Sequence, residues 1–414
     1  MIGRLVVVAM LLGMNGCGAL VLRNPLPAQL VEQAEIPGLP DIRYWGDHYD
    51  AGMVQSIRES WEQERAHLGL GPDDPLPPCH DLAISGGGQD GAFGAGLLYG
   101  WTESGKRPEF KIVTGISTGA LTAPFAFLGS EYDEQLAGVY TSVSEVDIFV
   151  SQGIFTILRA DSVMNTAPLA KLAARYITPE LVEKVAEEHR KGRRLFIGTT
   201  NLDAQRPVIW DMGALACSDY PEKVQLFRKI LIASAAIPGA FPPVYFPVEV
   251  QGQKFDEMHV DGATTRELFF YPVEMEIEKI RARANVRREA TSIYIIANHN
   301  LGAQYQLVPP RVAAIAGRAI ATLIKTQMHT DLVSIYHAAV RDKLDFNLAS
   351  IPESIELKNV SMFDKVYMNE LFAVGRSLAS GGYPWQKRPP LLSRTVALPV
   401  IPPPEAPQRE GSDD

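Results

Sequence analysis

The sequence has only three cysteines in 414 residues, Cys17, Cys79 and Cys217, too few for a disulfide-built scaffold. It has no excess of positive charge. The 39 Lys and Arg residues against 48 Asp and Glu leave a net charge of −9. That argues against nucleic acid as the main partner and against a basic surface holding an anionic membrane. Beyond the first two dozen residues there is no long apolar run, which excludes a multi-span membrane protein. No internal repeat is visible. No His or Cys spacing points to a metal, and nothing calls for an organic cofactor. What is present is 46% hydrophobic and 21% charged residues, the balance of a globular chain with a sizeable core rather than of a disordered one.

The amino terminus is the exception to the missing apolar run. Arg4 supplies one positive charge, Leu5 to Met14 is apolar, and Asn15-Gly16 precede Cys17. A charged start, an apolar core and small residues before a cut describe a secretory signal. With Cys directly after Gly16 it resembles a bacterial lipoprotein signal, in which Cys17 becomes the lipidated first residue. Met14 and Asn15 depart from the usual Leu and small residue. The competing reading is a signal-anchor helix over Leu5 to Leu22, short for a bilayer and weakened by Gly13, Gly16 and Gly18. Lipidation implies the bacterial cell envelope. Gly18, where an Asp would resemble an inner-membrane retention signal, favours the outer membrane with the protein facing the periplasm. Cys79 and Cys217 are then left free to pair or stay buried.

Composition divides the chain into a signal segment 1–16, a Pro-rich tether and packed arm 17–80, one large catalytic domain 81–396, and a Pro-rich acidic tail 397–414 read as disordered. Within the arm, Val54, Ile57, Trp61 and Leu68 predict a helix over Ala51 to Leu68. In the core, strands are predicted at Asp81–Ser85, Phe110–Thr114, Leu195–Thr200, Val208–Trp210 and Ser292–Ala297. Helical patterns lie at Pro179–Arg190, Pro221–Ala235, Glu267–Arg281 and Arg311–Val340. The last is read as a core helix covering the sheet. Strands alternating with helices predict an α/β fold with a mainly parallel sheet.

Two glycine-rich turns carry the chemistry. Gly115-Ile116-Ser117-Thr118-Gly119 is a G-x-S-x-G run between a predicted strand and a predicted helix, the context of a nucleophile elbow. A sharp turn there pushes the Ser117 hydroxyl out of the sheet beside a helix amino end. Ser85-Gly86-Gly87-Gly88 also follows a strand and opens a helix near Ala92. Consecutive glycines can aim successive N–H groups at one point, a cradle for an oxyanion or a phosphate. No P-loop Lys-Ser/Thr follows, and no acidic residue completes a dinucleotide unit. The base is open on the residues alone. His299, at the end of a strand, and Asp261, in Asp261-Gly262-Ala263, are both candidates. His329 and His337 fall inside a predicted helix.

Taken in order, Gly86-Gly87-Gly88, Gly115–Gly119, Ala233-Ser234-Ala235-Ala236-Ile237-Pro238-Gly239-Ala240-Phe241-Pro242-Pro243 and Asp261-Gly262 resemble the patatin-like phospholipases. The resemblance covers about Leu82 to Thr264 and implies a three-layer patatin-like fold. It implies a Ser117–Asp261 dyad without His, and an oxyanion hole from the Gly87 and Gly88 amides with Gly86 beside them. The Ala233–Pro243 block is implied to be structural support under the dyad. The implied activity is acyl-ester hydrolysis through an acyl-enzyme, acting on a membrane lipid, with no cofactor and no metal. The alternatives are a catalytically weak lipid-binding or trafficking lipoprotein, and an esterase or thioesterase on soluble acyl substrates. Asp90 stands where the family has Arg or Lys and is expected to cap the following helix. Ala263 stands where it more often has Gly.

Overall fold

The computed structural model describes residues 23–148, 150–151, 164–272, 274–357 and 361–393. The signal segment 1–16, Cys17 and the tail 397–414 lie outside them. After a short 3-10 turn at Ala28–Gln33, the described chain forms strand β1 (Arg43–Trp45) and helix α1 (Ala51–Leu68), followed by β2 (Cys79–Ile84), α2 (Gly91–Glu103), β3 (Ile112–Ile116) and α3 (Thr118–Leu128). Next come α4 (Asp133–Thr141), α5 (Glu145–Ile148), a small hairpin of β4 (Val150–Ser151) and β5 (Met164–Asn165), α6 (Ala167–Tyr176) and α7 (Pro179–Arg190). Then follow β6 (Arg194–Asn201), β7 (Arg206–Asp211), α8 (Met212–Cys217), α9 (Lys223–Ser234), β8 (Val244–Val250) and β9 (Gln253–Asp261). The last elements used below are α10 (Ile277–Arg283), β10 (Thr291–Asn300), α11 (Val312–Arg341), β11 (Asp345–Ile351) and α12 (Lys365–Ser380).

The central sheet runs β1-β7-β6-β3-β2-β10-β11. The five strands from β6 to β11 are parallel, and β7, β1 and the β8–β9 hairpin are added antiparallel. Helices cover both faces, which makes this a mixed α/β fold with a mainly parallel sheet. The alternation of side chains along each strand divides the core. Leu82 and Ile84 of β2, with Leu195 and Ile197 of β6, face a layer that includes Phe93, Phe125, Val185 and Leu371. Ala83 and Phe196 face the other way, toward Met53, Ile57, Met328 and Leu332.

The stretch read as tether and arm contributes elements of its own. The Asp50 carboxylate accepts the Met53 amide at the start of α1, and Gly69 closes the helix with φ 66°. Met53, Val54, Ile57 and Trp61 are buried, so this helix covers one face of the sheet. Strand β1, absent from the sequence reading, pairs with the edge strand β7. The β8–β9 hairpin was also only partly legible. Its two-residue turn is Gln251-Gly252, both at positive φ, the backbone that matches strand twist in a tight hairpin.

Two helix expectations are corrected. Glu267–Arg281 is helical only from Ile277. Leu268, Phe269, Phe270 and Tyr271 are all buried in succession, which no single helix face allows. The Glu267 and Leu268 amides donate instead to the Asp331 carboxylate at 2.8 and 3.2 Å, and Pro272 interrupts any helical run. Helix α11 has the predicted extent, but only its second half covers the sheet. Met328, Leu332, Ile335, Ala338 and Ala339 are buried. The first half is exposed, because 30 residues of helix reach about 45 Å, beyond a sheet whose neighbouring strand β11 has 7 residues and spans about 23 Å. Cys79 and Cys217 are both free thiols.

Candidate active site

Strand β3 ends at Ile116, opposite Gly198 of β6, and α3 begins at Thr118. The single residue between them is Ser117, with φ 53° and ψ −123°, a conformation that a residue with a side chain adopts only when its surroundings enforce it. Those surroundings are visible. A Cβ on Gly115 would lie 2.5 Å from the Gly119 carbonyl oxygen, so only glycine lets the strand end and the helix start approach. The Ser117 amide donates to Ser234 Oγ at 2.9 Å, and the Ser234 hydroxyl donates to the Gly198 carbonyl at 2.6 Å. Ser234 thus ties the elbow to β6. The Ala233–Pro243 block pointed to support under the site, but not to this residue.

Asp261 reaches the same place from another strand. Where β3 stops, β9 takes over the same edge of β6, with Asp261 opposite Thr199. Ile116 faces Gly198 and Asp261 faces Thr199, so two strand ends meet one residue apart. Ser117 Oγ donates to Asp261 Oδ2 at 2.7 Å. Asp261 Oδ1 accepts the Ala263 amide at 2.9 Å, and the Asp261 amide donates to the Ala236 carbonyl at 2.8 Å. Ser117 and Asp261 are both buried. Burial pushes the Asp261 carboxyl up to about 7, against the hydrogen bonds from Ser117 and Ala263 and with added repulsion from Glu267. Ala263 is not among the positive-φ residues, so glycine is not needed there.

His299 is engaged elsewhere. Its Nε2 lies 2.6 Å from Glu267 Oε1. Burial works against its protonation, but the Glu267 and Asp90 carboxylates outweigh that and hold it above the ordinary imidazole range. Glu267, buried and with Oε2 unpartnered, was not singled out by sequence reasoning, because a Glu opening an apparent helix looks like surface.

The glycine run behaves as two units. Gly86 is not free to act in an oxyanion hole, since its amide donates to the Glu267 carbonyl at 3.2 Å. That corrects its assignment beside the other two. Gly87 and Gly88 adopt φ 140° and 57°, and among the described residues no protein acceptor takes their amides. Asn298 pins the run. Its side-chain amide donates to the Ser85 carbonyl at 3.0 Å, and its oxygen accepts the Gly94 amide at 3.0 Å. A Cβ on Gly87 would lie 2.5 Å from the Asn298 carbonyl oxygen. Asp90 makes no capping bond to α2. The expected cap is replaced by the Tyr367 hydroxyl, which donates to Asp90 Oδ1 at 2.8 Å, while burial raises the Asp90 carboxyl.

A small pocket of about 50 Å³, partly open, extends from Ser117 and Gly88. Its walls include Leu121, Val143, Leu172, Ile237 and Phe241, a lining suited to hydrocarbon. Among the described residues no group of three or more His, Cys, Asp or Glu side chains could hold a metal.

Residues 82–273 match the family model described as patatin-like phospholipase. The chain carries a patatin-like phospholipase domain. No curated protein matches the chain. Among solved structures, VipD from Legionella pneumophila aligns with 12% identity and a TM-score of 0.36, over 74% of this chain and 67% of its own. In the patatin-like domain the matched span includes both glycine runs, Ser117, Ser234, Asp261 and Glu267.

The buried Asp261 gives a stability test. Its folded-state pKa stands above the ordinary 3.8. Its favourable contribution is therefore complete below about pH 4 and is lost as pH rises through about 7. Asp261→Asn, neutral at every pH, is expected to gain stability over the wild type between pH 5 and 8 and to match it most closely near pH 4. Thermal unfolding across that range checks the sign.

Proposed function

We propose that this patatin-like domain is a lipid acyl hydrolase working through Ser117 and Asp261 alone. The 2.7 Å bond from the strained Ser117 to the buried Asp261 carries the reading. Asp261 Oδ2 takes the Ser117 proton as Oγ attacks the ester carbonyl carbon. The carbonyl oxygen gains negative charge and is met by the Gly87 and Gly88 amides at the amino end of α2, each good donor contributing about 3 kcal/mol. As the tetrahedral species collapses, the bond to the leaving alcohol breaks and the alcohol carries away the proton held by Asp261. Water then attacks the acyl-enzyme, giving its proton to Asp261, and the acid leaves as the proton returns to Ser117. A carboxylate raised to about 7 is matched to this task at neutral pH. The apolar lining of the pocket beside Ser117 is of the kind an acyl chain would meet, which supports phospholipid, lysophospholipid or acylglycerol substrates.

Hydrolysis of a nitrophenyl butyrate ester tests the dyad. Ser117→Ala is expected to be inactive, and Asp261→Asn to lose about 10²- to 10⁴-fold in kcat. In the wild type, kcat/KM is expected to rise through a single ionisation near pH 7, because only ionised Asp261 accepts the proton. Full activity in Asp261→Asn would return the role of base to His299.

We also propose that Cys17 carries a lipid anchor in a bacterial envelope, which would hold the catalytic domain at its substrate and raise its effective concentration. Metabolic labelling with a fatty-acid analogue should mark the chain and fail to mark Cys17→Ser. Equal labelling of both would remove the anchor from the account.

A further inference from the structure

The exposed first half of α11 has no role in the site described above. From Leu301 to Thr330 the chain has no Asp or Glu, and it carries Arg311, Arg318 and Lys325, in a protein of net charge −9. Among the residues of α11 whose burial is described, the first buried one is Met328. Ahead of it Val312, Ile315, Ile320 and Leu323 are 87, 55, 50 and 69% exposed. Tyr305 and Leu307, in the loop leading to the helix, are 93 and 80% exposed. On a helix, positions 312, 315, 320 and 323 share one stripe of about 140°. Arg311 stands at the amino cap and Arg318 flanks the stripe on the Ile315 side, while Lys325 is turned to the far side, toward Gly302.

The two cations on the helix are held by the preceding loop, and the Glu353 carboxylate lies near enough to Lys325 to favour its charged form. Arg318 donates to Gln306 Oε1 at 3.2 Å and to the Gln304 carbonyl, and Lys325 donates to the Gly302 carbonyl. None of the three is in a salt bridge among the described residues. These bonds also brace the loop against the helix. The brace fixes an arm of about 24 Å, counting the turns ahead of Met328.

The arm stands at the end of the sheet where the chemistry sits. The loop from Leu301 leaves the carboxyl end of β10, and the same ends of the parallel strands β2 and β3 lead to Gly87 and Ser117. No helix among the described residues is long and apolar enough to cross a membrane. An exposed apolar stripe flanked by cations at its amino end is the pattern suited to lying in a membrane interface.

We propose that residues 301–326 dock this protein on an anionic lipid surface, with Tyr305, Leu307, Ile315 and Leu323 entering the headgroup region and Arg311 and Arg318 meeting its negative charge. The reading of Ser117 as a lipid hydrolase supplies the reason for such a surface at this edge, and the test separates the two. Full-length chain carrying Cys17→Ser, so that no lipid anchor contributes, is sedimented with vesicles of phosphatidylglycerol and phosphatidylcholine in equal parts. Ile315→Asp with Leu323→Asp, both at exposed positions, is expected to reduce vesicle binding at least about tenfold. Hydrolysis of lipid in those vesicles should fall in parallel, while thermal unfolding and hydrolysis of dissolved nitrophenyl butyrate stay unchanged. Arg311→Gln should weaken binding to these vesicles about fivefold and leave the weaker binding to pure phosphatidylcholine unaltered. Unchanged vesicle binding by the double variant would overturn the proposal. So would a dimer that the double variant disperses without altering vesicle binding, which would assign the stripe to a second copy of the chain. Vesicle sedimentation decides the question even if no ester is hydrolysed.

Discussion

The hydrogen bond from Ser117 to Asp261 depends on a register on one strand. β6 accepts β3 along its first half and β9 along its second. The changeover between Gly198 and Thr199 is where both incoming chains end and turn. A slip of one residue on either strand would send its side chains to the opposite face of the sheet and separate the hydroxyl from the carboxylate. Much of the surrounding structure serves that changeover. Glycines at 115 and 119 admit the sharp turn, and Ser234 ties the strained elbow to Gly198 itself. The Asp261 amide is anchored on Ala236. The two supports come from one segment, Ser234 to Ala236, so a short stretch of chain holds both members of the pair.

The electrostatics follow from the same packing. A carboxylate closed off from water loses its hydration, and its proton affinity rises. For Asp261 that places the ionisation at about 7, where an ordinary Asp would be a poor base. Glu267 adds repulsion from a position it also uses to hold His299 and, through its backbone, Gly86. The histidine is therefore not in competition with Asp261 for Ser117. It balances one of the carboxylates that crowd the turn. Asp90, in place of a basic residue, points to Tyr367 on α12 and leaves the Gly87 and Gly88 amides free.

The parts of this arrangement that were legible in the sequence are those written in local pattern. The helices Ala51–Leu68 and Pro179–Arg190 show in the sequence as helical patterns, and the structure adds their caps at Asp50 and Thr178. The buried strands show as short apolar runs, and the G-x-S-x-G turn marks Ser117. Asp261 was only one of two candidate bases until a family pattern was set beside it, because its partner lies 144 positions away and no local signal encodes that contact. Glu267, Asn298 and Ser234 were unread for the same reason. Strand β1 was hidden by its length of 3 residues, and Leu268–Tyr271 imitated a helix because a fully buried run has no periodicity to betray it. Net charge averages over one local feature. A total of −9 conceals a segment from Leu301 to Thr330 that is wholly free of acidic residues, and only the overshoot of α11 beyond the sheet reveals that the part of its helix ahead of Met328 is largely exposed.

The central claim is that Ser117 is a nucleophile whose reactivity is set by Asp261. The most direct measurement is the rate of inactivation by a fluorophosphonate as a function of pH, with the adduct located by peptide mass. The account predicts a single adduct on Ser117 whose rate of formation rises through one ionisation near pH 7, with that ionisation absent in Asp261→Asn. An adduct on another residue, or the same ionisation persisting in Asp261→Asn, would contradict it.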